Sequence, residues 1–415
     1  MKLRTALINL ILIFLIYLSL VSFLNGTFIY NFMWQTDNIF QDLVMPVKWL
    51  ECYKAGQDIF KSTDCAGGTF AYGPIFLTLP INESLKIFYL SYLPYISIFL
   101  FVTFVVLSIN KKNFLSYVLI FFCIFNPSTL LLLQRMNIDI LIFLLLIFLS
   151  FNTKFFFLNW SLIFFLTFSK IFPIVSGIIV FLEEKKRSLK KVFLIIFGVS
   201  LISFLYLIFN IESYVNFFNG LSANKAGYHF LFSLNAIPKI AKYVLSFNYI
   251  FFLVIIYFSF FYLINRLYKK FTFINLNKIN FYSYNFKIFL LGSIISIISF
   301  IFFPNYFHRE VFLIMTIPFI VSLYYMTKNK FLFFFLLFVV FKYFYLFLFS
   351  YVNIYDGLTY ANNQRVFSDY FILIIFIKSL IDFIQMSVLT ALVLSTLKVF
   401  LINSKNLLTF NQKES

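Results

Sequence analysis

The sequence predicts an all-α, polytopic membrane protein of about 12 transmembrane helices, and three observations carry that reading. Hydrophobic residues fill 62% of the 415 positions and charged residues only 12%, outside the range of soluble domains. Apolar runs recur along the whole chain, and at the roughly 20 residues a helix needs to cross the hydrocarbon core about a dozen crossings fit. The basic residues, which give a net charge of +18, sit in short clusters between those runs and not on one face or tail. That is a positive-inside pattern and argues against a nucleic-acid partner. The 67 phenylalanines, with abundant Ile, Asn and Lys, are read as the product of an AT-rich coding bias and carry no functional weight.

The predicted spans are 6–25, 84–109, 114–133, 138–151, 155–169, 171–182, 192–210, 246–264, 285–303, 311–327, 331–350 and 370–400. The first lacks a small-residue cleavage site and is read as an uncleaved helix, not a secretory signal. Placing MKLR, NKKN, NTK, EEKKRSLKK, NRLYKK, TKNK and NSKN on one side puts both termini in the cytoplasm. The middle three spans are too short to cross unaided. Irregular or broken backbone at membrane depth is tolerated where it is buried in protein or lines a wet cavity, so these helices point to one. No repeat or linker divides the chain, which reads as a single membrane domain over 1–415.

In this topology the external side holds 25–83, 211–245, 304–310 and 351–370. Asp37, Asp42, Glu51, Asp58, Asp64, Glu83, Asp139, Glu212, Glu310, Asp356, Asp369 and both histidines fall there. Any chemistry is expected outside. In the first loop, apolar residues at 39, 40, 43, 44, 47, 50 and 53 recur at helical spacing, which predicts an amphipathic helix on the membrane surface. Pro46 is expected to divide it. Asp37 and Asp42 are then either a solvated face or the start of a site. Cys52 and Cys65 share that loop in an oxidising compartment and are expected to pair, whereas Cys123 lies inside a helix.

QRMNID sets Arg135, Asn137 and Asp139 at the outer hinge between two helices. Charges near lipid cost roughly 2.5 to 3.5 kcal/mol, so Arg135 and Asp139 either neutralise each other or face a polar cavity. Lys170, in SKIFP, either snorkels or faces the same cavity. His308 and Arg309 beside Glu310 form a compact cationic group suited to a phosphate. No CxxC, HExxH, GxSxG, P-loop or Rossmann glycine pattern is present, and no metal ligand set is assigned.

The stretch DLVMPVKWLECYKAGQDIFKSTDCAGGTFAYGPIFLTLP resembles the first external loop of polytopic C-type glycosyltransferases, in particular the polyprenyl-phosphate-mannose-dependent mannosyltransferases. The likeness lies in Asp42, then Gly56 to Phe60, then the Tyr72-Gly73-Pro74 that opens the next helix. QRMNID is similar to that family's Arg-x-Asn-x-Asp hinge and SKIFPI to its Lys-aromatic-Pro motif, in the expected order over about the first 180 residues. Tyr-Gly-Pro stands where Tyr-Pro-Pro is commoner, and Met136 where glycine is usual. The resemblance implies a polyprenyl-phosphate sugar as donor, a lipid or glycan acceptor, and transfer with inversion in the bacterial inner membrane, without a cofactor. It makes Asp42 the general base, with Tyr72, Arg135, Asn137, Asp139, Lys170, His308 and Arg309 around the substrates. The competing readings are a cell-envelope glycan polymerase or ligase, in which Arg365 becomes the key residue, and a lipid-linked glycan transporter, which would keep charges near midplane.

Overall fold

The computed structural model describes residues 2–24, 40–60, 65, 70, 72–110, 113–151, 156–170, 177, 197–198, 201–202, 204–215, 231–245, 248–271, 276, 279–302, 305–355, 359–361, 364–366 and 369–411. Its principal helices are α1 (Lys2–Leu24), α2 (Gln41–Lys54), α3 (Glu83–Ser108), α4 (Phe114–Phe125), α5 (Pro127–Arg135), α6 (Asp139–Phe151) and α7 (Phe156–Ser169). They continue as α8 (Ala236–Leu245), α9 (Tyr249–Phe271), α10 (Tyr284–Phe302), α11 (Val311–Thr327), α12 (Lys330–Tyr355) and α13 (Asp369–Asn411). Two very short antiparallel pairs, Leu231–Phe232 with Asn305–Tyr306 and Thr359–Ala361 with Gln364–Val366, lie in the loops.

Six helices among the described residues are long and apolar enough to cross a membrane: Ala6–Leu24, Glu83–Ser108, Tyr249–Phe271, Tyr284–Phe302, Lys330–Ser350 and Ile372–Ile402. This is a helical membrane protein. Helices satisfy their own backbone groups, which lipid cannot do. Of the other expected spans, 138–151, 155–169 and 311–327 correspond to shorter apolar helices. The segment 114–133 breaks at Asn126, whose ψ of 151 is the extended state forced on a residue before proline. Its amide donates to the carbonyls of Phe122 and Cys123, satisfying the end of α4. The span 171–182 falls almost wholly outside the described residues and 192–210 in part, and Asp37 also lies outside them.

The chain divides into two compact units, 1–108 with 129–226 and 109–128 with 227–415. In the first, Asn82 caps α3 by accepting the Leu85 N–H at 2.8 Å, and a single π-turn at Phe88–Tyr92 interrupts it. In the second, α10 approaches the start of α11 so closely that a Cβ on Gly292 would lie 2.6 Å from the Phe312 carbonyl oxygen. Rings then fill the interior, with Phe289 and Phe319 4.5 Å apart and Phe260 5.5 Å from Phe383.

Two expectations for α2 change. The helix runs unbroken through Pro46, which is only its sixth residue, so the ring removes one backbone bond near the start. Much of its apolar side is also covered by protein, although Tyr53 stays 47% exposed. Leu43, Val47, Trp49 and Leu50 are buried, and Trp49 meets Phe70 at 5.5 Å and Tyr72 at 5.9 Å. That burial outweighs the lost bond.

Candidate active site

QRMNID is the end of one helix joined directly to the start of the next. Met136 adopts φ 49, the N–H of Asn137 bonds the Leu132 carbonyl, and the N–H of Met136 bonds that of Leu133. This is a Schellman C-cap with Arg135 at the cap and Met136 in the left-handed position that glycine usually fills. Asn137 then caps α6, its Oδ1 accepting the Asp139 N–H at 3.1 Å. Arg135 thus sits at a helix C-terminus and Asp139 in a first turn, where each charge suits the local dipole. The spacing of the motif follows from this double cap.

A second tie brings α2 to the hinge. Phe40 starts α2 in the left-handed region, with φ 61, and its N–H donates to the Gln134 carbonyl at 2.8 Å. Of the three non-glycine residues with positive φ among the described residues, Phe40 and Met136 therefore flank the same spot. Strain of this kind costs about 1 to 3 kcal/mol and persists where surrounding structure enforces it. Here it sets Asp42, in the first turn of α2, against Arg135.

The Asp42 carboxylate accepts three N–H groups. Oδ1 takes Arg135 Nε at 3.0 Å and Nη2 at 2.6 Å, and Oδ2 takes Asn137 Nδ2 at 2.7 Å. A carboxylate has about four acceptor positions, so one remains. Asn137 links this pair to a second one: its Oδ1 also faces Lys170 Nζ at 3.4 Å, and that ammonium donates to Asp139 Oδ1 at 2.6 Å. Of the two alternatives for Arg135 and Asp139, mutual neutralisation gives way to a crossed arrangement, Arg135 with Asp42 and Lys170 with Asp139. The side chain of Asp139 is fully buried while that of Arg135 is 34% exposed. Asp139 is therefore placed to hold Lys170, while Arg135 keeps part of its side chain open to solvent.

Gly73 explains the departure from Tyr-Pro-Pro. Its N–H donates to the Ser169 carbonyl at 2.9 Å, and a Cβ there would collide with the Phe168 carbonyl oxygen. Proline would lose the bond and add the collision. The close approach lays the Tyr72 ring 5.5 Å from Lys170 Nζ, a cation–π distance. Tyr214, which no sequence signal marks, donates its hydroxyl to the same Phe168 carbonyl at 3.2 Å, and burial pushes that hydroxyl well above the ordinary tyrosine range.

Beside this network lies a cavity of about 200 Å³, lined by Asp42 and Val47 of α2, Ile142 and Leu145 of α6, and Phe165 and Leu166 of α7. The two short helices α6 and α7 thus form walls of an apolar chamber with one carboxylate on its lining. Cys52 and Cys65 are joined, Cα to Cα 6.3 Å, closing the loop after α2.

Asp42, Tyr72, Arg135, Asn137, Asp139 and Lys170 thus meet within the first unit. His308, Arg309 and Arg365 belong to the second unit, where the side chains of His308 and Arg365 lie outside the described residues. Glu310, placed by the sequence reading on the external side beside His308 and Arg309, is buried. It joins a ring that the local sequence pattern does not announce: Lys342 Nζ lies 2.7 Å from Glu310 Oε2 and 2.7 Å from Asp382 Oδ1, and Lys378 Nζ lies 3.2 Å from Glu310 Oε1 and 2.7 Å from Asp382 Oδ2. Gln385 Oε1 also accepts from Lys342 at 2.7 Å. The signal was present as Lys342, Lys378 and Asp382 inside apolar runs, because charges there need partners within the protein. The described residues hold no cluster of three or more His, Cys, Asp or Glu suited to a metal. Among family models, curated proteins and solved structures nothing matches this chain, so its site is interpreted from its own geometry.

Proposed function

We propose that this protein is a membrane glycosyltransferase that moves a hexose, mannose being the first choice, from a polyprenyl-phosphate donor to a lipid-linked or cell-envelope glycan. The reaction takes place on the external face of the bacterial inner membrane, within a 12-crossing topology whose termini are cytoplasmic. One observation carries the reading. A single carboxylate, Asp42, lines an apolar cavity and is clamped by an arginine that is one-third exposed. That combination suits a substrate with a hydrocarbon tail, an anionic phosphate and a hydroxyl to be deprotonated at their junction.

In the proposed reaction the acceptor hydroxyl loses its proton to the remaining acceptor position of Asp42 while its oxygen attacks the anomeric carbon. The bond from that carbon to the phosphate oxygen breaks, and its electron pair stays with the phosphate. Attack opposite the leaving group inverts the anomeric centre. Arg135 stabilises the charge that develops on the phosphate, with Lys170 as the second cation. Asn137 acts as a positioning residue, fixing Asp42 through one end of its amide and Lys170 through the other. In a transporter the buried charges of the second unit would have to engage cargo. Both lysines and both carboxylates of that ring are paired with each other, although charges inside apolar helices are the feature the transporter reading expects.

The test is transfer from a labelled polyprenyl-phosphate hexose in proteoliposomes. Asp42→Asn keeps the side-chain shape but removes the proton acceptor, so kcat should fall by about 10²-fold or more. Asp37→Asn serves as the control and should change little. An Asp42→Asn protein that transfers sugar at the normal rate would refute the mechanism.

A further inference from the structure

We infer that Arg135 serves the base and the leaving phosphate at the same time, so that protonation of Asp42 hands the arginine's charge to the departing phosphate. The inference rests on the glycosyltransferase reading and concerns the regulation of charge within that site. A guanidinium carries five N–H donors in a rigid plane, and Asp42 engages those on one side, Nε and Nη2. The exposed fraction of the side chain leaves the arginine reachable by an anion. The four charged groups of the network, Asp42, Arg135, Asp139 and Lys170, sum to zero, and Lys170 is already held by the fully buried Asp139. An incoming phosphate therefore meets an arginine already engaged by Asp42 and must share it.

The charges balance through the step. Before transfer Arg135 faces one negative charge on Asp42 and one on the phosphodiester of the donor. As the acceptor oxygen bonds to the anomeric carbon, the acceptor proton moves to Asp42, which becomes neutral. The carbon–oxygen bond to the phosphate breaks, and the phosphate gains the second negative charge. The total facing Arg135 stays constant, while its location moves from the carboxylate to the phosphate. The guanidinium can follow that charge from one partner to the other.

One consequence separates this from a simple orienting pair. After transfer, return of Asp42 to its ionised state restores a competitor for Arg135 next to a doubly charged product, which drives the lipid phosphate out. Asp42→Asn mimics the neutral carboxyl and should trap that product.

The experiment measures binding of geranylgeranyl monophosphate to the full-length protein in nanodiscs, with geranylgeraniol and inorganic phosphate as separate arms for tail and headgroup. Asp42→Asn should bind the monophosphate lipid about tenfold more tightly than the parent protein, a difference of about 1.4 kcal/mol. Adding Arg135→Ala to Asp42→Asn should abolish the gain, with the intact Cys52–Cys65 bond and a monodisperse elution profile showing that each variant is folded. Equal or weaker binding by Asp42→Asn overturns the inference, because Asp42 then only orients Arg135. If the parent protein and both variants bind the monophosphate no better than geranylgeraniol, the glycosyltransferase reading falls with it.

Discussion

Replacing Lys378 with methionine tests the buried ring of the second unit. Lys378 reaches both Glu310 and Asp382, and all four ring side chains are at most 2% exposed. With Lys378→Met, two buried carboxylates share Lys342 alone and the site carries a net negative charge. Removing one partner of a buried pair leaves an uncompensated charge and costs about 3 to 5 kcal/mol. Asp382→Leu leaves two lysines facing Glu310, with the opposite sign and a similar cost. The double variant Lys378→Met/Asp382→Leu keeps Glu310 with Lys342, which retains Gln385, and restores neutrality. Its loss should be smaller than the sum of the two single losses by about 2 kcal/mol or more, since residues in one network are strongly coupled. The assay is the half-life of monodisperse protein in detergent at a fixed raised temperature, compared across the four proteins. The parent should last longest, and the double variant should outlast the half-life that the two single losses added together would give. A double variant whose losses merely add, or a single variant as durable as the parent, would show that the ring does not act as a unit.

Further outcomes follow from the first unit. Gly73→Ala should displace its segment from Phe168 and weaken both stability and transfer, whereas Gly177→Ala, where a Cβ meets only open space, should do neither; measured by the same half-life and by sugar transfer, an undisturbed Gly73→Ala protein would contradict the close approach. Met136→Gly relieves a left-handed residue worth about 1 kcal/mol but deletes a fully buried side chain worth about 2 to 5 kcal/mol, so the variant should be less stable, and a gain in stability would reverse that ranking. Mass analysis without reduction should show Cys52 joined to Cys65 and Cys123 in no disulfide, and two thiols in the first loop would reject the bridge. A reporter fused after Lys191 should read cytoplasmic and one fused within 222–228 external, and the opposite result removes the proposed orientation of the site.

Much of the site is legible in the amino-acid sequence as residue types. Asp42, Arg135, Asn137, Asp139 and Lys170 stand out because a polar or charged group beside long apolar runs is costly without a partner, so each must have a reason. The membrane class is legible for the same cause, since helix length against bilayer thickness depends on local composition alone. What sequence spacing could not deliver is which charge meets which. Arg135 and Asp139 are four residues apart and look like a pair, yet the reversal of backbone at Met136 turns them to different partners. Pro46 looked like a break because local rules count one lost bond, whereas the buried face of α2 supplies more than that bond removes. Glu310 looked like an external acid because its chain neighbours are polar, but lysines more than thirty and sixty residues onward draw it inside. Composition and period determined that this chain enters a membrane as helices, with its polar residues gathered at a few hinges. Tertiary structure decided the pairing of charges and the cavity beside Asp42, because both depend on where distant segments pack, and a buried charge takes whichever partner the fold brings within about 3 Å.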